Sequence, residues 1–224
     1  MSIAEKFEII ADAVYEKGIV DGIQAEWSEF WDSLQQNGTR TNYYMGFASW
    51  KEDIFKPKHH FNLTNTQYMF YATQIGNLSA ILTDRNLQFD TSQCDNVTYM
   101  FLASTVTDVP YIDCRLSSSL NGMFQNCASL ATISELKLKD DGSQTFTNTF
   151  TNCMSLVNIK ITGVIGTDIS FSSSSKLTYD SVMSIINALA VVTTTRTITL
   201  HATAKSKLTE ADIATITQKG WTLA

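Results

Sequence analysis

The spacing of hydrophobic residues changes character along the chain. Near the start, Ile3, Phe7, Ile10 and Val14 recur at intervals of four and three. The pattern resumes one residue out of phase with Val20, Ile23, Trp27, Phe30 and Leu34. This is a heptad seam on an amphipathic helix, with a skip near Gly18 and Gly22 where each glycine costs a helix about 1 kcal/mol relative to alanine. Asn37-Gly38 reads as its C-terminal cap. Two heptads per half are too few to stand alone, so the seam packs either on its own domain or on other copies as a short coiled coil. The second alternative predicts a homo-oligomer, with a trimer favoured, and gives 1–38 an oligomerisation or docking role.

Residues 39–63 carry Tyr43, Tyr44, Phe47, Trp50, Phe55 and Phe61, which suits a cap over the exposed end of a repeat array. From 64 to 175 the pattern is self-similar. Met123-Phe124-Gln125-Asn126-Cys127-Ala128-Ser129-Leu130-Ala131-Thr132-Ile133 aligns without a gap with Thr149-Phe150-Thr151-Asn152-Cys153-Met154-Ser155-Leu156-Val157-Asn158-Ile159. Two looser copies begin at Phe70 and Phe101, sharing Phe70, Ile75, Leu78, Ile81 against Phe101, Val106, Val109, Ile112. Self-similarity of this kind implies stacked units that bury one another. The predicted repeat core is Phe70, Ile81, Phe101, Ile112, Phe124, Cys127, Leu130, Ile133, Phe150, Cys153, Leu156 and Ile159. Predicted strands cover 78–82, 109–113, 133–138, 156–162 and 169–171, and 172–175 reads as a closing polar loop. The expected fold class is α/β: a solenoid with a parallel β-sheet, preceded by the amphipathic helix and followed by a cap.

That cap spans 176–224. Val182–Leu189 predicts a helix and Arg196–His201 a strand. Thr209-Glu210-Ala211-Asp212 opens a second helix through a capping box with aspartate in place of glutamate, with Ile213 and Ile216 facing inward. Lys219-Gly220 ends it and Trp221-Thr222-Leu223 forms a last strand. These two helix–strand units are expected to extend the parallel sheet.

Composition narrows the function. The formal charge of −6 argues against nucleic acid as the main partner. No apolar run reaches the ~18 residues of a membrane span. The first residues lack a basic head and an unbroken apolar stretch, so no secretory signal is expected. Cys127 and Cys153 occupy the same slot in successive copies, which favours buried thiols over disulfides. The four cysteines at 94, 114, 127 and 153 lack the paired spacing of a zinc site.

Catalytic patterns are sparse. There is no phosphate-binding glycine loop and no Gly-x-Ser-x-Gly elbow. His59, His60 and His201 read as solvated or capping residues, and Asp140-Asp141-Gly142 as an acidic turn without the charge a calcium loop needs. The one conceivable acid/base pair is Asp113 with Glu135, on a surface with no expected cleft. No enzyme activity, metal or cofactor is expected.

The Phe-x-x-Cys-x-Ser-Leu-x-x-Ile phrase at 124–133 and 150–159 resembles the BspA-like leucine-rich repeats of bacterial surface proteins. The flanks, Ile10–Gly18, Ala25-Glu26 with Phe30-Trp31-Asp32, Asn37–Tyr44, Ser174–Leu189 and Lys219–Leu223, look like leucine-rich-repeat proteins encoded by phages and prophages of gut bacteria. The resemblance implies a virion-associated structural or host-recognition protein of tail or baseplate type, made in the bacterial cytoplasm. Its partners would be other virion proteins or a host-surface protein or glycan. The alternative is a bacterial cell-surface adhesion module binding protein or glycan.

Overall fold

The computed structural model describes residues 49–50, 60–84 and 88–224. The heptad seam from Ile3 to Leu34, and with it the oligomerisation reading, lies outside them, as does most of the aromatic stretch 39–63. Among the described residues the architecture is mixed α/β, with small, mainly parallel sheets and no closed barrel. One sheet joins β1 (Ser49–Trp50), β2 (His60–Asn65) and β3 (Gln88–Asp90); β1 is antiparallel to β2, and β2 is parallel to β3. The second is parallel throughout: β4 (Asp108–Asp113), β5 (Thr132–Lys137) and β6 (Asn158–Thr162). The third, also parallel, joins β7 (Ile169–Phe171), β8 (Arg196–Leu200) and β9 (Trp221–Leu223).

The four phenylalanine phrases share one backbone conformation. The residues two before and two after each Phe have positive φ: Tyr68 and Ala72, Tyr99 and Ala103, Gly122 and Asn126, Asn148 and Asn152. Asparagine and glycine enter this region most readily, which explains the Asn of Asn126-Cys127 and Asn152-Cys153. Tyrosine and alanine hold the same geometry at a cost. With a left-handed residue two before and two after each Phe, the N–H groups at Phe−2, Phe and Phe+2 of the first three copies all donate to the next copy. Phe70 donates to the Met100 carbonyl (2.7 Å), Phe101 to Met123 (2.8 Å) and Phe124 to Thr149 (3.1 Å), and the two neighbours in each copy do likewise. The intervening amides close tight turns within the copy, as from Met123 to Leu120 and from Cys127 to Phe124. Buried backbone donors are thus satisfied without regular secondary structure.

The aromatic rings follow the backbone. Phe70–Phe101, Phe101–Phe124, Phe124–Phe150 and Phe150–Phe171 stack with centroids 5.0, 5.4, 5.8 and 4.4 Å apart. All five rings are buried. The inward rows Val109–Ile133–Ile159 and Ile112–Leu136–Ile161 of β4, β5 and β6 complete the core.

Three expectations are corrected. Residues 78–82 are not a strand but part of helix α1 (Leu78–Asp84). Asn77 accepts from the Ala80 amide as a helix cap would (2.8 Å), and Leu78, Ile81 and Leu82 have helical spacing; Ile81 is only partly buried there. The helix–strand units do not extend the β4–β5–β6 sheet. Helix α2 (Tyr179–Ala188) lies along β6, where the Ser181 and Ser184 hydroxyls accept from the Ile159 and Ile161 amides (3.0 and 2.8 Å). With that edge occupied, β8 and β9 pair beside β7 instead. Finally, Ile213 faces solvent (41% exposed), whereas Ile216 is buried.

Elsewhere the C-terminal elements fall where the pattern places them. The Thr209/Asp212 capping box opens α4 (Glu210–Gln218). A short helix α3 (Ala202–Lys205), capped by His201, was not expected. Lys219 donates to the Ile186, Asn187 and Leu189 carbonyls (2.9, 3.0 and 2.8 Å), closing the C-terminus of α2, where a cation suits the helix dipole.

The left-handed positions make a paired prediction. Ala103 is exposed at φ 58°, so Ala103→Gly should stabilise the protein by about 0.5–1 kcal/mol. A Cβ on Gly122 would lie 2.3 Å from the Tyr99 ring, so Gly122→Ala should destabilise by about 2 kcal/mol or more. Urea unfolding of the two variants checks both signs.

Candidate functional site

The outward face of β4–β5–β6 gathers the chemistry of the described residues. Tyr111 on β4 lies in register with Glu135 on β5, and Asp113 with Lys137. Between Ile133 and Leu136 the β5 chain takes three steps where β6 takes two, from Ile159 to Ile161. This bulge lets β5 present two outward residues, Ser134 and Glu135, against Lys160 alone. Bulges re-aim side chains in this way. Glu135 accepts from Lys160 Nζ (2.5 Å) and from the Thr162 hydroxyl (2.7 Å).

Asp113 sits at the end of β4 and is almost fully buried. Burial alone would favour its neutral form. Arg115 outweighs this by donating through Nε to both carboxylate oxygens (3.0 and 3.1 Å), through Nη2 to Oδ2 (2.7 Å) and through its backbone N–H to Oδ1 (3.0 Å). The Tyr111 hydroxyl adds a bond to Oδ2 at 3.3 Å. The net result is a carboxyl held below its ordinary range. Glu135 is also lowered, first by its bond from Lys160 and then by Thr162. The phenol of Tyr111 is pushed up, by partial burial and by the Asp113 charge. Asp113 and Glu135, the one acid/base pair suggested by sequence, are therefore each committed to a cation. Neither is poised to carry a proton near neutral pH.

The predicted core residues lie elsewhere, beneath this face. Phe70, Phe101, Phe124 and Phe150 form the ring column, with Cys127, Leu130, Cys153 and Leu156 buried beside it and Ile112, Ile133 and Ile159 inward on the strands. The cysteine slot has a role that sequence did not reveal. Three residues after each Phe comes a small donor: Thr73, Ser104, Cys127, Cys153 and, after Phe171, Ser174. Ser104 donates to Thr73 O (3.3 Å), Cys127 to Phe101 O (2.9 Å), Cys153 to Phe124 O (3.1 Å) and Ser174 to Cys153 O (3.2 Å). All four cysteines are free and buried. Burial pushes the Cys127 thiol up to about 12 and raises the other three, so none is a ready nucleophile.

His201 accepts from the Thr203 amide as the cap of α3 (3.2 Å). Asp141 accepts from the Ser143 amide, closing its own turn (2.9 Å). Among the described residues, no three or more His, Cys, Asp or Glu are grouped to hold a metal ion, and no helix is long and apolar enough to cross a membrane. Sequence reasoning missed Tyr111, Arg115, Lys160 and Thr162 as a set. The outward positions of 156–162 could be read from alternation, but in 109–113 the inward Val109 and Ile112 are three apart, and the bulge and the Arg115–Asp113 fork left no periodic signal. Compared with family models, curated proteins and solved structures, the chain matches none.

Four described carboxyls, Asp113, Glu135, Asp141 and Asp212, are held below their ordinary range and bias the pH response the same way. A carboxyl whose folded pKa lies below its unfolded value stabilises the fold fully above about pH 4, and this contribution is lost as pH falls through the folded pKa. Thermal stability should therefore hold from neutrality to about pH 5 and fall below about pH 4. Asp113→Asn should be less stable than wild type at pH 7, and the gap should narrow as acid protonates Asp113. Melting temperatures of both proteins from pH 7 to pH 2.5 check this.

Proposed function

We propose that this chain is a leucine-rich-repeat solenoid that serves as a non-enzymatic, virion-associated structural or host-recognition protein of tail or baseplate type. Residues 1–38 would join copies or dock them on the particle, and the repeats would carry the outward strand face to its target. The observation that carries the reading is the stacked turn column. Four copies of one turn, joined by backbone bonds and stacked phenylalanines, hold β4, β5 and β6 in fixed register and order the polar side chains on them. An ordered strand face with its charges paired suits binding better than chemistry. Several copies on one particle would multiply weak contacts through avidity.

The repeat column would serve equally in a monomeric bacterial adhesion module, so the number of copies distinguishes the two settings. Light scattering after size exclusion should find a homo-oligomer, with a trimer favoured, for the full chain and a monomer when residues 1–38 are removed. A monomeric full chain would contradict the virion reading and favour the single-module alternative.

A further inference from the structure

Both edges of the β4–β5–β6 sheet are engaged. On the β6 side, the Ser181 and Ser184 hydroxyls accept from the Ile159 and Ile161 amides and donate to the Val157 and Ile161 carbonyls (3.1 and 3.3 Å). On the β4 side, the Asp113 amide donates to the Thr91 hydroxyl (2.8 Å), and the Thr107 amide to Gly76 O (2.8 Å). Strand addition by an extended peptide is therefore disfavoured at both edges of this sheet. What remains is recognition by side chains across the face.

Those side chains have a definite arrangement. Tyr111 is the one large apolar side chain exposed on β4, β5 or β6, at 46%. Its hydroxyl is tied to Asp113, itself clamped by Arg115, so the ring is held before any ligand arrives and little ordering cost remains. A single aromatic ring ringed by polar groups lacks the apolar centre that a protein hot spot needs. It does suit a flat, hydroxyl-rich ring of which one face is apolar. The charges beside it are unequal in exposure. The Arg115 and Lys160 side chains are 52% and 60% exposed, whereas their carboxylate partners Asp113 and Glu135 are 3% and 22% exposed. The cations thus lie above the anions. Arg115 binds Asp113 through Nε and Nη2, which leaves the Nη1 edge of the fork for a second carboxylate.

We propose that Tyr111, Arg115 and Lys160 form a binding site for an acidic saccharide, with a pyranose ring stacked on Tyr111 and its carboxylate met by Arg115. Glu135, directly across from Tyr111, would accept from a sugar hydroxyl. The proposal rests on the strand face being the recognition surface, and it names the ligand class for that face. It does not depend on oligomeric state, so the light-scattering outcome and this one can fail separately.

The test is saturation-transfer NMR on the full-length protein with methyl β-glucuronide and methyl β-glucoside as probes at millimolar concentration. Saturation should pass to ring protons of the glucuronide, and the glucoside should bind about tenfold more weakly or not at all. Tyr111→Ala should lower glucuronide affinity about tenfold or more, while the protein stays folded with a melting temperature lowered only modestly by the lost bond to Asp113. Tyr111→Phe should retain most of the binding, and Arg115→Lys should narrow the preference for the acidic sugar. Equal binding of the two glycosides, or full binding by Tyr111→Ala, would overturn the site. No transfer to either glycoside would also overturn it and leave the face to a folded protein partner.

Discussion

The structure depends on one constraint: each buried phenylalanine turn must satisfy its amides sideways, through the turn stacked on it. A turn bracketed by left-handed residues cannot continue as a helix, and it is too short here to form a strand ladder. Its N–H groups find partners only if the next copy lies directly against it, in register. Donation from Phe70 to Met100, Phe101 to Met123 and Phe124 to Thr149 meets this demand. It also sets the separation at which the first four rings stack, from 5.0 to 5.8 Å. Such ring pairs contribute about 0.5–1.5 kcal/mol each beyond their burial. The small donors Ser104, Cys127, Cys153 and Ser174 fit the same spacing, since a larger side chain would part the copies. Strand register, and with it the polar face, follows from this column.

An array built this way must also be stopped. The growing edge at β6 would otherwise offer unpaired amides to any passing strand. Helix α2 meets it with hydroxyls, which can both accept and donate where a helix backbone cannot. Phe171 on β7 keeps the ring column going by one more layer, while the chain around it changes from turn to strand. The helices α2 and α4 then alternate with β8 and β9, and Lys219 ties the end of α2 to the end of α4. Termination is thus gradual: the ring column outlasts the β4–β5–β6 sheet.

Much of this was legible in the sequence, because the repeating unit is set by local chemistry. The recurring Phe marked the column. The Thr209/Asp212 capping box marked α4. What escaped was determined by contacts between copies. Thr73, Ser104 and Ser174 do not look like cysteine, yet all donate to backbone carbonyls. Tyr68, Ala72, Tyr99 and Ala103 gave no hint of positive φ, since nothing in their types favours it. Residues 78–82 read as an apolar strand, and the Asn77 cap that makes them a helix carries no hydrophobic signal. Among the candidate binding residues, Glu135 was visible as an outward position. Its partners Lys160 and Thr162 required the bulge between Ile133 and Leu136, a mismatch of two strands that neither strand shows alone.

The functional proposal rests on a rigid face, and the face on the column. Native-state hydrogen exchange resolved by residue tests that dependence most directly. The amides of Phe101, Ala103, Phe124 and Asn126 lie in segments without helix or strand, and ordinary loop amides exchange at low opening energies. The account predicts that these four exchange as slowly as the amides of β5, and through the same cooperative opening. If they exchange like exposed loops while β5 stays protected, the column is not what holds the strands, and the account is wrong.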